Sequence, residues 1–376
     1  MLQKWSKMSL SMILAAVLAF MVSACGNSNG GSPNSSGAQK TEPAQTQPAQ
    51  TEAAQKPAEK QFTLTAAGST FVYPLFSKMF AEYNKLHPNV QVNYQSIGSG
   101  GGIKQLTAGT VDFAASDAFM KDEDIAKIKN GVIHIPVTVG AVAVIYNIDG
   151  VEKGLKLTQD TLAGIYLGKI TKWNDPKLTA DNPDVKLPDL AITPVFRSDG
   201  SGTTSIFTDY LSTVNAEWKD KVGKGTSVQF PVGIGGKGNE GVAGQVKQTP
   251  GAIGYAELAY ADKNKIAYAQ LRNKDGKFVY PSLEAASLAA ASAAANMPED
   301  TRVSIVEKPG EKSYGIVGFT WALLNTQYDD ADKKQAVIDL LKWVYRDGQQ
   351  YSEDLLYAKI PEAIAKINDK NMEKIK

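Results

Sequence analysis

Apolar positions in this chain follow two rhythms, a period of two and a period between three and four, and they alternate along the sequence. Phe62-Thr63-Leu64-Thr65-Ala66 alternates like a strand and stops at Gly68. Val72, Leu75, Phe76, Met79, Phe80, Tyr83 and Leu86 then recur at three and four, which predicts an amphipathic helix ending near His87-Pro88. Val90 to Tyr94 is a second strand. The turn Gly98-Ser99-Gly100-Gly101-Gly102 opens a helix through Ile103 and Leu106, and Val111 to Ala115 forms a third short strand leading to Ser116-Asp117. Strand, helix, strand, helix, strand predicts an α/β fold with parallel strands, in which ligand loops gather at the carboxyl edge of the sheet.

Ile133 to Ile148 is a long β-rich run, suited to a strand that crosses from one lobe to the next. A second lobe would hold helices around Leu162 to Leu167 and Ile206 to Leu211, and strands at Ile192 to Phe196 and Gly251 to Tyr255. Ala285 to Ala295, rich in alanine and serine, reads as an exposed helix. Ile316 to Leu324 reads as a strand returning to the first lobe, and Val337, Leu340, Leu341, Val344 and Tyr345 as a closing helix. The body from Phe62 onward, about 315 residues, exceeds one ordinary core and predicts two lobes.

The amino-terminal segment follows another logic. Lys4 and Lys7 precede the apolar run Leu10 to Val22, which is short for a membrane span and reads as a signal peptide over residues 1–24. Val22-Ser23-Ala24-Cys25 resembles a bacterial lipobox. That resemblance implies cleavage before Cys25, lipidation (palmitate) of this only cysteine, and a mature protein lipid-anchored on the outer face of the cell membrane. Residues 25–61 carry the lipidated Cys25 and a Pro-, Gln- and Ala-rich tract without apolar residues enough for a core, which reads as a disordered linker.

Charge narrows the class of partner. With 40 basic and 39 acidic residues, a net charge of +1 gives no bulk attraction to nucleic acid. The body holds no cysteine and only His87 and His134, so thiol chemistry is excluded there and a histidine-built metal site is not expected. No cofactor is indicated.

The informative chemistry lies at strand ends. Arg197-Ser198-Asp199-Gly200-Ser201-Gly202-Thr203-Thr204 precedes an apolar-periodic helix, so a glycine turn, hydroxyl donors and a planar cation meet a helix start. Gly68-Ser69-Thr70-Phe71 and Ser99 open two further helices. Each cluster alone reads better as ordinary N-capping, but together, with Arg197 at the third, they favour an anion clamped between lobes. Asp117 repels an anion unless the ligand carries a proton, which an ionised carboxylate accepts. Phosphate has such a proton at neutral pH and sulfate does not. Asp117 also suits a helix cap, and Asp199 suits either a turn or a partner that orients Arg197. Gly233 to Gly241 lacks the Ser or Thr that a Walker A loop needs after Lys237, and reads as a structural loop near the cleft. Ser201 lacks a nucleophile-elbow spacing, and His134 lies among apolar residues as a packed histidine, which disfavours a hydrolase.

The body from Phe62 to about Ile364 resembles the periplasmic-type phosphate-binding proteins of ABC importers. The resemblance rests on Ala67-Gly68-Ser69-Thr70-Phe71, Tyr94 to Gly102, Val111 to Ala118, Ile165 to Ile170, Arg197 to Thr203, Gly235-Gly236-Lys237-Gly238-Asn239 and Pro250 to Tyr255. It implies a two-lobed type II periplasmic-binding-protein fold, with parallel or mixed sheets flanked by helices and joined by crossing hinge strands. Lobe I is expected at 62–137 plus 312–376 and lobe II at 138–311. It further implies that Thr70, Phe71, Ser99, Arg197, Ser201, Gly202 and Thr203 donate to phosphate, that Asp117 accepts its proton, and that Asp199 holds Arg197. The implied activity is binding and not catalysis, with delivery to the transmembrane subunits of an importer. Another tetrahedral oxyanion, or a secreted phosphatase-like enzyme, are the alternatives. Gly100 stands where many relatives have a second serine, and residues 280–314 depart from the pattern.

Overall fold

The computed structural model describes residues 60–152 and 154–376. The signal peptide, Cys25 and all but the last two residues of the linker lie outside the described residues.

The alternating segments form β1 (Phe62–Gly68), α1 (Tyr73–Leu86), β2 (Val90–Ser96), α2 (Ser99–Thr107) and β3 (Phe113–Ser116). β1 pairs in parallel with β2 on one side and β3 on the other. The apolar stripe of α1 drives this packing, since Leu75, Phe76, Met79, Phe80 and Tyr83 are all buried. The long run becomes β4 (Val132–Tyr146), buried from His134 onward, as a strand covered on both faces must be.

The second half adds β5 (Thr193–Arg197), α3 (Gly202–Val214), β6 (Ile234–Gly236), α4 (Gly238–Gln248), β7 (Ala252–Glu257), α5 (Leu258–Asn264) and α6 (Leu283–Ala294). The chain then returns as β8 (Val317–Asn325) and closes with α7 (Ala331–Tyr345). Strand order is β2-β1-β3-β8-β4-β7-β5-β6. The first part of β4, up to Ala141, pairs with β8, and the remainder from Val142 pairs with β7. One strand is thus shared between the two halves of the sheet, and β8 beside it joins antiparallel to β3.

The register of β8 on β4 slips between Thr320 and Trp321, where Pro136 sits opposite Trp321. A proline cannot donate to the ladder, so it is accommodated at this irregularity. The extra residue at the slip is Val137 on β4, and Thr320 is the last β8 residue before it.

Two readings of the sequence are corrected. The Ala-rich helix is not exposed: Ala285, Ala286, Ala289, Ala290 and Ala293 are buried on one face of α6, against β4 and β8. Alanines spaced at one and four let a helix approach a sheet closely, although their hydropathy alone signals little. The segment Gly233 to Gly241 is not a loop but the end of β6 and the start of α4. A final helix, Glu362–Met372, buries Ile364, Ala365 and Met372 without an expectation from sequence. No helix among the described residues is long and apolar enough to cross a membrane.

Candidate functional site

Four helix starts meet where the two halves of the sheet face each other. The N-caps of α1, α2 and α4 (Val72, Gly98 and Lys237) make no side-chain capping bond, so first-turn amides there are left for other partners. Only α3 is capped in the usual way, with Ser201 Oγ accepting from the Thr204 amide at 3.0 Å. The positive ends of these helices are thereby directed at one small volume.

The halves touch there. The Gly100 amide donates to the Gly200 carbonyl at 2.9 Å. A Cβ on Gly202 would lie 2.5 Å from Ser99 Oγ and 2.6 Å from Asp117 Cβ, so only glycine lets the α3 start come this near. Gly98 holds φ at +88°, and a side chain there would strike Asp199 Oδ2 at 2.2 Å.

On the first half, Asp117 follows β3 and is 4% exposed. Ser69 Oγ lies 2.6 and 2.7 Å from its two oxygens, and Thr320 Oγ1 donates to Oδ1 at 2.7 Å. Ser99 Oγ accepts the Asp117 amide at 3.2 Å and stands 3.5 Å from Oδ2, which leaves Oδ2 the less satisfied oxygen. Burial pushes the carboxyl up to about 6, against the Ser69 and Thr320 hydroxyls, the Arg197 charge and Ser99. The Phe71 amide points to Ser69 Oγ at 3.0 Å.

On the second half, Arg197 ends β5, its side chain 1% exposed. Nε and Nη2 form a fork on Asp199, at 2.8 Å to Oδ1 and 2.6 Å to Oδ2. Burial pushes Asp199 up, but the guanidinium outweighs it and holds the carboxyl below its ordinary value. The Gly238 amide also donates to Asp199, at 3.0 Å. Nη1 reaches Thr203 Oγ1 at 3.3 Å, and the remaining guanidinium hydrogens stay free to donate.

Donor and acceptor bookkeeping makes the centre one-sided. Thr70 Oγ1 accepts from the Asn239 amide at 3.1 Å and from its Nδ2 at 2.7 Å. Thr203 Oγ1 accepts from Arg197 and from Asn239 Nδ2 at 3.1 Å. A hydroxyl has two acceptor sites and one proton. With the acceptor sites engaged, the Thr70 and Thr203 protons are left to donate outward. The arrangement suits an oxygen-rich anion that has one proton to give, since Asp117 is the acceptor in a ring of donors.

All eight residues read from sequence as a binding set (Thr70, Phe71, Ser99, Asp117, Arg197, Ser201, Gly202 and Thr203) lie at this junction, and Asp199 with them. Sequence reasoning missed Ser69, Thr320 and Asn239. Ser69 stood inside a quoted motif, and Asn239 stood in a glycine run read as a loop. Thr320 gave no signal, being one polar residue inside an apolar strand. His134 lies elsewhere: its Nε2 accepts the Met120 amide at 3.0 Å, and burial pushes its pKa down to about 3, leaving it neutral.

A profile of the PBP superfamily domain matches residues 42–347. The chain is 45% identical over 308 residues to the phosphate-binding protein PstS of Xylella fastidiosa strain Temecula1, covering 82% of this chain and 84% of that one. It is 39% identical over 327 residues to the phosphate-binding protein PstS of Methanocaldococcus jannaschii, covering 81% and 84%. In three dimensions it is similar to a phosphate-binding protein from Stenotrophomonas maltophilia, with a TM-score of 0.61 at 18% identity over 81% of this chain and 92% of that chain. That last likeness is one of fold.

Proposed function

This chain belongs to the PBP superfamily and, within it, to the PstS phosphate-binding proteins, and we propose that it captures inorganic phosphate between its lobes for delivery to an ABC importer. The role is binding without catalysis. The observation that carries the choice of ligand is Asp117, a buried acceptor set among donors. Phosphate keeps a proton at neutral pH, and that O–H donates a hydrogen bond to Asp117 Oδ2. Sulfate has none, and its oxygens would face the buried Asp117 Oδ2 with no proton between them, at a cost of about 1–3 kcal/mol or more.

In this reading Arg197, held by Asp199, donates from its free guanidinium hydrogens. Thr70, Ser99, Ser201 and Thr203 donate through hydroxyls, and Phe71, Gly202 and Thr203 through backbone amides. Residues 62–137 with 312–376 act as lobe I and 138–311 as lobe II. Ligand contacts made by both lobes stabilise the closed form, which the membrane subunits of the importer recognise. No metal or cofactor takes part. The chain is exported, cleaved before Cys25, and tethered by lipid on that cysteine at the outer face of the cell membrane.

Calorimetric titration of the full-length protein tests the ligand. Phosphate should saturate at one per chain, with sulfate far weaker; equal affinity for the two would sink the assignment. For the anchor, Cys25→Ser should move the protein from the membrane fraction to the medium. Retention of that variant in the membrane would defeat the lipid reading.

A further inference from the structure

Behind the anion site lies a second buried carboxyl that the binding account does not use. Glu257 ends β7, is fully buried, and its Oε1 has no hydrogen-bond partner among the described residues. Its Oε2 accepts the Ala259 amide at 2.8 Å, capping α5, and lies 3.0 Å from the Tyr357 hydroxyl. The Tyr357 hydroxyl also lies 2.6 Å from the Phe71 carbonyl. A carbonyl only accepts, and a phenol has one proton. If Glu257 were ionised, two acceptors would compete for that proton, and Oε1 would be a buried charged oxygen without a donor.

The competition disappears if Oε2 carries a proton. It then donates to the Tyr357 oxygen, and the Tyr357 proton goes to the Phe71 carbonyl at the shorter distance. Tyr260, on the helix that Glu257 caps, holds the preceding carbonyl, Thr70 O, at 2.6 Å. A planar trans peptide sets the Phe71 amide opposite the Thr70 carbonyl. The two tyrosines therefore fix successive peptide planes of the loop that presents Thr70 and Phe71 to the anion.

We infer that Glu257 is a positioning residue for the anion loop, acting as a neutral acid that donates to Tyr357 and thereby locks the Phe71 carbonyl and the amides beside it. This rests on the phosphate reading of the site. Burial pushes the Glu257 carboxyl well above its ordinary value, against the Tyr357 hydroxyl and the Ala259 amide, and the like charge of Asp117 adds to the rise. The other groups around it are Asn239, whose Oδ1 accepts the Glu257 amide at 2.9 Å, and Tyr260. Neutrality also keeps a further negative charge away from a bound anion.

Infrared spectroscopy of the ligand-free, full-length protein at about pH 8, roughly two units above the value for Asp117, reads the protonation state directly. The expected result is a carbonyl-stretch band of an un-ionised carboxylic acid that vanishes in Glu257→Gln and shifts in Tyr357→Phe. Absence of such a band in the wild type, or its persistence unchanged in both variants, overturns the inference. Phosphate titration supplies the second arm. Glu257→Gln keeps a neutral donor to Tyr357 through Nε2 but cannot also accept the Ala259 amide there, so it should lose less phosphate affinity than Tyr357→Phe, which should bind about tenfold more weakly. Equal loss in the two variants contradicts the role. A wild-type chain that shows the band but binds no phosphate defeats the ligand assignment and leaves the Glu257–Tyr357 hydrogen bond standing.

Discussion

The two walls of the cleft are built on different chemistry. The wall from β1, α2, β3 and β8 presents hydroxyls around one carboxylate, Asp117, which has no cation among its hydrogen-bond partners. The wall from β5, α3 and α4 presents a cation, Arg197, already neutralised by Asp199. With Asp117 ionised, the three charged groups sum to a negative site. An anion is therefore attracted by local dipoles, amides and hydroxyls rather than by net charge. In the function proposed above, the cationic wall supplies strength and the carboxylate wall supplies choice.

Removing the cation should have the largest effect. Arg197→Ala removes the cation of the site and leaves the part-buried Asp199 with only the Gly238 amide among these partners. Phosphate affinity by calorimetry should fall on the order of 100-fold or more. Arg197→Lys should recover only part of it, because an ammonium cannot hold Asp199 with a fork and donate onward as well.

The carboxylate wall makes a prediction about pH next in size. Asp117 is pushed from 3.8 up to about 6, so the fold favours its protonated form. The ligand-free protein should lose stability as pH rises from about 4 to about 6, by up to about 3 kcal/mol, and no more from this group above that. Asp117→Asn should remove this slope in chemical denaturation measured across the window; an identical slope in both proteins would contradict the burial account.

Asn239 links the walls, reaching Thr70 on one and Thr203 on the other. Asn239→Ala should weaken phosphate about tenfold by freeing those two hydroxyls to rotate, and should also lower the melting temperature, because the buried Glu257 amide loses its acceptor. The smallest effect is that of salt. If dipoles rather than net charge hold the ligand, raising salt from about 50 to about 500 mM should change affinity less than about threefold. A steep loss would mean that long-range charge dominates and that the contrast between the walls is drawn wrongly.

How much of this was legible in the sequence follows the range of the interactions. The β1-α1-β2-α2-β3 order was readable because periodicity is local, and the Arg197 to Thr204 octet because its residues adjoin. The convergence of Thr70, Ser99 and Asp117 with that octet was readable because parallel strands gather their ends at one edge. Thr320 was not, since it reaches Asp117 from a strand 203 residues further along the chain. Nor was Tyr357, whose contact with Glu257 closes over 100 residues of chain. Asn239 lay inside a glycine run whose helix start was hidden by its flexible composition. The buried face of α6 went unread because alanine carries little hydropathy in either environment.

The central claim is that Asp117 selects the ligand by accepting a hydrogen bond from the ligand's one proton. Parallel titration of phosphate and sulfate into wild type and Asp117→Asn, at about pH 8 where the carboxylate is ionised, tests it most directly. The account predicts that the variant binds phosphate about tenfold more weakly and sulfate more tightly than wild type does, so that the gap between the two anions narrows. A variant that rejects sulfate as firmly as the wild type would contradict it.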